Sequence, residues 1–221
     1  QGIEWWSSID VPPTNCSRCP RLVSYRSENR RDHSDWYNAP VSSFGPLDAQ
    51  LLIVGLAPGL RGANRTGRPF TGDFAGDLLY ETLGTFDFSR GYYGAAINDG
   101  LSLINCRISN AVRCVPPKNR PTSDEIKKCQ IFLRAEIEAM PYLRAFIALG
   151  RVAHDAVLAV YDLRRAQHKF THGQRHCLLS APVLFDSYHC SRYNTNTGRL
   201  TTDMFNSVVQ DVRTFLKTPP A

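Results

Sequence analysis

The sequence predicts an α/β fold in which an open parallel sheet is covered on both faces by helices. Three observations predict it. Short apolar runs rich in β-branched residues recur along the chain, amphipathic helical patterns lie between them, and most of the runs end in glycine, proline or a polar loop. Strands that alternate with helices build parallel sheets buried on both sides. The chain has 221 residues, 43% of them apolar and 21% charged, which is enough to bury one sizeable core.

Taken in order, Leu51 to Leu56 is an apolar run that breaks at Gly55 and Pro58-Gly59, a buried strand entering a loop. From Asp73 to Leu83, Phe74, Leu78, Leu79 and Leu83 recur at helical spacing, so a helix starts close to Asp73. Asn105 to Val112 reads as a second strand, closed by Pro116-Pro117. Thr122-Ser123-Asp124-Glu125 follows Pro121 as a capping box and opens a helix to about Met140, with Cys129 inside it. Ala145 to Leu149 is a third strand, and Gly150 turns it into a helix over 151–160. Val183 to Tyr188 is a fourth strand, followed by a polar loop and a last helix from Thr202 to about Phe215. The loops 57–72, 113–120 and 189–200 all follow strands, which puts a site at the carboxyl end of the sheet.

The domain reading is one domain over 16–218 behind a polar N-terminal extension, 1–15, that does not resemble a signal peptide. No apolar run approaches membrane-spanning length. The expectation is a monomer in the cytoplasm, within the bacterial nucleoid. A net charge of +6 suits a polyanionic partner. Arg61, Arg65 and Arg68 sit among glycines, and Arg192 and Arg199 lie in an Asn/Thr-rich loop, settings in which arginine can follow phosphates.

Seven cysteines, an odd count, argue against a simple disulfide framework. Cys16-Ser17-Arg18-Cys19 clips two thiolates onto one centre, and Cys114 with Cys129 supplies a second pair. Proline close after Cys19 and Cys114 favours an iron–sulfur site over zinc. The second pair is also spread too widely for a zinc ribbon. Free thiols in a reducing compartment remain the alternative. Gly55-Leu56-Ala57-Pro58-Gly59 lacks phosphate-loop spacing but brings bare backbone up to a ligand. Phe70, in a Gly/Pro-rich loop, is either a packing anchor or a platform for an extruded base. Asp73 is either a helix cap or an acid at the loop end, and His189 is either a structural or a catalytic group after a strand. His168, His172 and His176 are spaced by four, but Gly173 interrupts any helix that would align them on a metal.

Together these segments resemble the uracil-DNA glycosylase superfamily, and most closely its family 5, the type b iron–sulfur enzymes. The resembling residues are Cys16-x-x-Cys19-Pro20, the 55–59 turn and Asn64 to Asp73. They continue through Ala111 to Asn119, Ala148-Leu149-Gly150-Arg151 and Ser187 to Thr201. The resemblance implies a three-layer α/β/α domain with a central four-stranded parallel sheet. It implies a structural [4Fe–4S] cluster on Cys16, Cys19, Cys114 and Cys129, leaving Cys106, Cys177 and Cys190 free. It further implies hydrolysis of the N-glycosidic bond of uracil in DNA, with breadth toward hypoxanthine and xanthine. The roles it suggests are Asp73 and His189 as catalytic groups, with Gly55, Leu56, Ala57, Phe70, Asn110 and His189 around the base. Ser191, Arg192, Tyr193 and Arg199 would meet the duplex. Ala57 stands where wider relatives carry a polar, water-positioning residue, and Asn110 matches the edge-reading Asn of family 4. The competing readings are a DNA-binding cluster protein of this fold without catalysis, and a zinc-stabilised nucleic-acid module.

Overall fold

A computed structural model describes residues 11–178 and 182–219, so residues 1–10 of the expected N-terminal extension lie outside the described residues. Four parallel strands carry the fold: β1 (Leu51–Gly55), β4 (Cys106–Asn110), β5 (Ala145–Leu149) and β7 (Val183–Ser187). β1 pairs with β4 on one side and β5 on the other, and β5 pairs with β7, all in parallel. The expected four-stranded parallel sheet is therefore present. A two-residue strand, β6 (Arg175–His176), adds an antiparallel edge beyond β7. A separate short hairpin joins β2 (Ser89–Arg90) to β3 (Ser102–Leu103).

The helices are α1 (Pro20–Asp32), α2 (Ala63–Thr66), α3 (Phe74–Thr85), α4 (Ser123–Glu138), α5 (Arg151–Val160), α6 (Arg192–Asn196) and α7 (Thr202–Lys217). Alternation along each strand sorts them into layers. Leu51, Ile53, Ile108 and Ile147 face α3 and α7, packing on Leu79, Leu83, Val209 and Val212. Leu52, Val54, Phe146 and Ala148 face α4 and α5, packing on Leu133, Ile137, Ala153 and Val157. Because both faces are covered, the strands read as unbroken apolar runs. Thr122 caps α4 through its side chain and Glu125 completes the box, as its sequence predicts. Among the described residues no helix is long and apolar enough to cross a membrane.

One charged group ties this frame together. Glu136 on α4 is fully buried, yet its carboxylate accepts from Arg107 Nε at 2.6 Å, Arg113 Nη2 at 2.6 Å and Ser109 Oγ at 2.6 Å. Arg107 also donates to the Gly45 carbonyl, and Arg113 to Ser43 Oγ at 2.6 Å. Burial alone would raise the Glu136 pKa, but the charges of Arg113 and Arg107 outweigh it and leave it lowered. A lowered carboxyl pKa stabilises the fold fully above the unfolded value near pH 4.3, and the gain is lost as pH falls through the folded value. Glu136→Leu, which strands two arginines, should cost about 3–5 kcal/mol in urea unfolding. The same network should make wild-type stability decline on acidification below roughly pH 4, a decline much reduced in the Leu variant.

Candidate active site and cysteine centre

The carboxyl ends of the four parallel strands open into a cleft of about 790 Å³, a size suited to a small ligand. Leu56, Ala57, Phe70, Asp73, Asn110 and His189 line it, with Ser191, Arg192 and Tyr193 at its border. Gly55 lies beneath, where a Cβ would come within 2.5 Å of Asn110 Oδ1 and 2.6 Å of Phe70 Cζ. Only glycine lets those two side chains meet over the strand end.

Phe70 adopts a left-handed backbone with φ 51°, unfavourable for an aromatic residue. Its neighbours hold it there. Tyr80 Oη donates to the Pro69 carbonyl at 2.6 Å, and Tyr93 Oη donates to the Phe70 carbonyl at 3.3 Å. Arg68 forms a bidentate pair with Asp99 at 2.8 and 2.7 Å, and its guanidinium lies over Phe44, Tyr80 and Tyr93. The Arg68 hydrogen bonds hold the Asp99 carboxyl well below the usual carboxylate range. Arg68 is thus buried structure, not the phosphate contact its glycine-rich setting suggests. The Phe70 ring consequently faces the His189 ring, with centroids 5.8 Å apart.

Asp73 caps α3, its Oδ1 accepting from Gly76 N at 3.3 Å. Its Oδ2 reaches the cleft across Gly59 and Gly62, where added Cβ atoms would lie 2.8 and 2.2 Å away. Burial raises its pKa against the pull of the Gly76 and Ala75 amides. The cap and the acid are therefore one residue: one oxygen fixes the helix and the other faces the ligand side. Asn110 is 2% exposed, and among the described residues no donor reaches its Oδ1. A buried amide acceptor left open toward a cleft points to a ligand donor.

His189 follows β7. Burial lowers its pKa to about 4, so the ring is neutral near pH 7. Its carbonyl accepts from Asn194 Nδ2 at 2.8 Å. The stretch expected as a loop here contains α6, capped by Ser191. Arg192 rests over the Phe74 ring, and Tyr193 is 72% exposed. Arg199 lies outside the cleft lining, with its guanidinium 4.6 Å from the Tyr188 ring centre.

Cys16, Cys19, Cys114 and Cys129 converge on a second, small cavity, walled by Leu22, Val112 and Phe132. Cys19 immediately precedes α1, whose Pro20 is preorganised for a helix start. Arg21 on α1 pairs twice with Glu125 on α4, at 2.8 and 2.7 Å, joining the two helices that carry Cys19 and Cys129 to the cavity. Arg26 donates to Cys114 Sγ at 3.5 Å, and the Arg113 amide to Cys129 Sγ at 3.3 Å. Burial pushes the Cys19 thiol up to about 11 and Cys114 to about 12, with neighbouring sulfurs adding to the rise. Four thiols around one small cavity, with N–H donors aimed at two of the sulfurs, suit a cationic centre that takes thiolates. Cys106 and Cys190 are buried elsewhere and Cys177 is exposed, as expected of free thiols.

The family model described as the Uracil DNA glycosylase superfamily matches residues 42–213. The chain belongs to that superfamily. A type-5 uracil-DNA glycosylase of Thermus thermophilus is 43% identical over 205 residues, covering 90% of this chain and 93% of the relative. One from Pyrobaculum aerophilum is 41% identical over 211 residues, covering 93% and 91%. A type-4 uracil-DNA glycosylase of the same organism is 34% identical over 154 residues, or 69% of this chain and 64% of the relative. The chain thus lies on the type-5 branch.

Within this superfamily member, sequence reasoning missed the parts that hold the site. Gly59 and Gly62 make room for Asp73, and the aromatic cage of Arg68 supports Phe70. Asn119 and Arg151 also line the cleft, beside Arg61, which its glycine-rich setting singles out. The glycines were visible as a loop signal, but the cage joins residues far apart in sequence. Arg68→Ala should cost about 3–5 kcal/mol, since it leaves Asp99 buried and unpaired. Chemical denaturation measures the loss.

Proposed function

We propose that this chain hydrolyses the bond between uracil N1 and deoxyribose C1′ in DNA, leaving an abasic site for base excision repair. The convergence of Phe70, Asp73, Asn110 and His189 on one cleft carries the reading. A stacked base is out of reach, so the nucleotide is extruded at a cost of a few kcal/mol, least at a U·G mispair. The Phe70 ring offers one face for the base. The Asn110 amide matches uracil's edge, with Oδ1 accepting from N3–H and the amide nitrogen donating to O4. Glu or Leu in its place would offer no such pair.

As C1′–N1 stretches, positive charge grows on the sugar and negative charge on the departing base. The Asp73 carboxylate faces the first and orients the water that adds to C1′. Ala57, which lines the same wall, has no polar atom for that task. The neutral His189 ring donates a hydrogen bond to the leaving uracil, a kind of preorganised contact worth about 2.7–4 kcal/mol. Water's hydroxyl ends on C1′ and its proton on the base. Arg192, Tyr193, Ser191 and Arg199 flank the duplex, and Tyr193 is the exposed side chain available to fill the gap.

Cys16, Cys19, Cys114 and Cys129 would hold a [4Fe–4S] cluster, which supplies cohesion between α1, the loop after β4 and α4. The prolines close after Cys19 and Cys114, and the absence of a second short knuckle, weigh against zinc. Hypoxanthine and xanthine are further candidate bases. A monomer suffices, because every proposed group comes from one chain.

Incubating the protein with a uracil-containing duplex and cleaving abasic sites with alkali tests the reading; intact strands would refute it. Asp73→Asn should lower turnover by roughly 10²–10⁴-fold with duplex binding kept. Gly62→Ala should do nearly as much, by pushing the carboxylate aside. Because the Asp73 pKa is raised, activity should fall on acidification at a pH above the ordinary aspartate value. Cys114→Ser should give poorly folded protein without broad visible absorption. Stable, colourless, zinc-loaded wild-type protein would favour the zinc alternative.

A further inference from the structure

The strap between α5 and β7 holds three histidines that the cleft does not use, and Asp186 on β7 ties one of them, His176, to His154 on α5. Asp186 Oδ1 faces His154 Nδ1 at 2.7 Å, and Oδ2 faces His176 Nε2 at 2.9 Å and accepts from Thr171 N at 3.1 Å. The other His154 nitrogen faces the His168 carbonyl at 2.8 Å. With Asp186 ionised, both partners of His154 are acceptors, an arrangement that favours the protonated ring. Burial alone would lower its pKa, but Asp186 and the His168 carbonyl outweigh burial and raise it. The donor atoms of His154, His176 and Asp186 lie within 4.8 Å of one another. Each atom that faces another is already hydrogen-bonded, so the group braces the strap against β7.

His172 stands between those braced ends, and its bond is of the opposite kind. On the strap side of β7, Asp186 N donates to the Gln174 carbonyl at 3.0 Å. The next amide on that side, Tyr188 N–H, has left the sheet and donates to His172 Nδ1 at 3.0 Å. An amide can only donate, so Nδ1 keeps its lone pair and His172 is neutral. Burial lowers its pKa, in keeping with that tautomer. The two rings also stack, with centroids 4.9 Å apart and planes 12° apart. The residue after Tyr188 is His189.

We propose that His172 is a positioning residue for His189, its imidazole replacing the strand partner that the Tyr188 amide lacks. The bond fixes the turn by which the chain leaves β7, and so the direction of the His189 ring. The Ser187 carbonyl, held by Gly150 N at 2.8 Å, and the His189 carbonyl, held by Asn194, fix the two sides of the same turn. The inference rests on the role given to His189 under the proposed function.

Two variants separate the bond from the stack. His172→Asn keeps an acceptor near the position of Nδ1, while His172→Phe keeps an aromatic face and removes the acceptor. Single-turnover uracil release should drop roughly 10–100-fold in the Phe variant, an alignment loss. It should stay within about threefold of wild type in the Asn variant, with duplex affinity unchanged in both and similar melting curves. In a His189→Ala background, His172→Phe should add nothing further. Wild-type rates in the Phe variant, an equal loss in the Asn variant, or an equal further loss without His189 would each overturn the proposal. Amide exchange at Tyr188 reads the bond directly: slow in wild type and Asn, fast in Phe. A wild-type enzyme that releases no uracil would instead sink the reading of the cleft, and the exchange data would still decide whether the bond exists.

Discussion

A single buried carboxylate, Glu136, fixes how the edge strand β4 meets the helix α4. It neutralises Arg107 and Arg113 from the strand side, and the three charges are buried or nearly so. Such a group is stabilising only with all partners in place, so it tolerates one register and penalises every other. The two elements it locks carry different chemistry at nearby points. Asn110 ends β4 at the cleft, Cys114 follows in the next loop, and Cys129 sits on α4. The Arg113 side chain reaches Glu136 while its amide reaches Cys129. The Asn110 amide and the cysteine centre therefore share one support.

The cleft concentrates conformations that a free chain would avoid. Phe70 is left-handed, Asn110 keeps a buried acceptor open, His189 is a half-buried imidazole with a lowered pKa, and Asp73 is a carboxyl with a raised pKa. Each is unfavourable alone and is held by bonding outside the cleft. The Arg68–Asp99 pair and its aromatic cage hold the Phe70 turn, the first amides of α3 hold Asp73, and the strap around Asp186 holds the exit of β7. Glycines at 55, 59 and 62 are needed for space, because side chains occupy the volume a Cβ would take.

Much of this was legible in the chain. The four parallel strands and their helices follow from apolar runs and caps, and Thr122 to Glu125 signals the start of α4 to the residue. Of the cleft residues, Asn110 ends β4 and His189 follows β7, while Phe70 and Asp73 lie in the long connection between β1 and α3. Less legible were α1, whose sequence is too polar to show a helical stripe, and α6, a single turn inside an Asn/Thr-rich loop. β6 is two residues long, below any periodicity. Arg68 was misread because its neighbours in sequence are glycines, while its neighbours in space are three aromatic rings and a carboxylate.

By itself the sequence determined the fold class, the strand order's raw materials, the cysteine set and the residues that could do chemistry. These depend on local pattern and residue type, which a linear chain states openly. Only the tertiary structure decided which of those residues share a cleft, that one Asp73 oxygen caps while the other faces outward, and that His154 faces two acceptors while His172 faces a donor. Those facts depend on which donors and acceptors face each buried group, and such partners are brought together by long-range packing rather than by position along the chain.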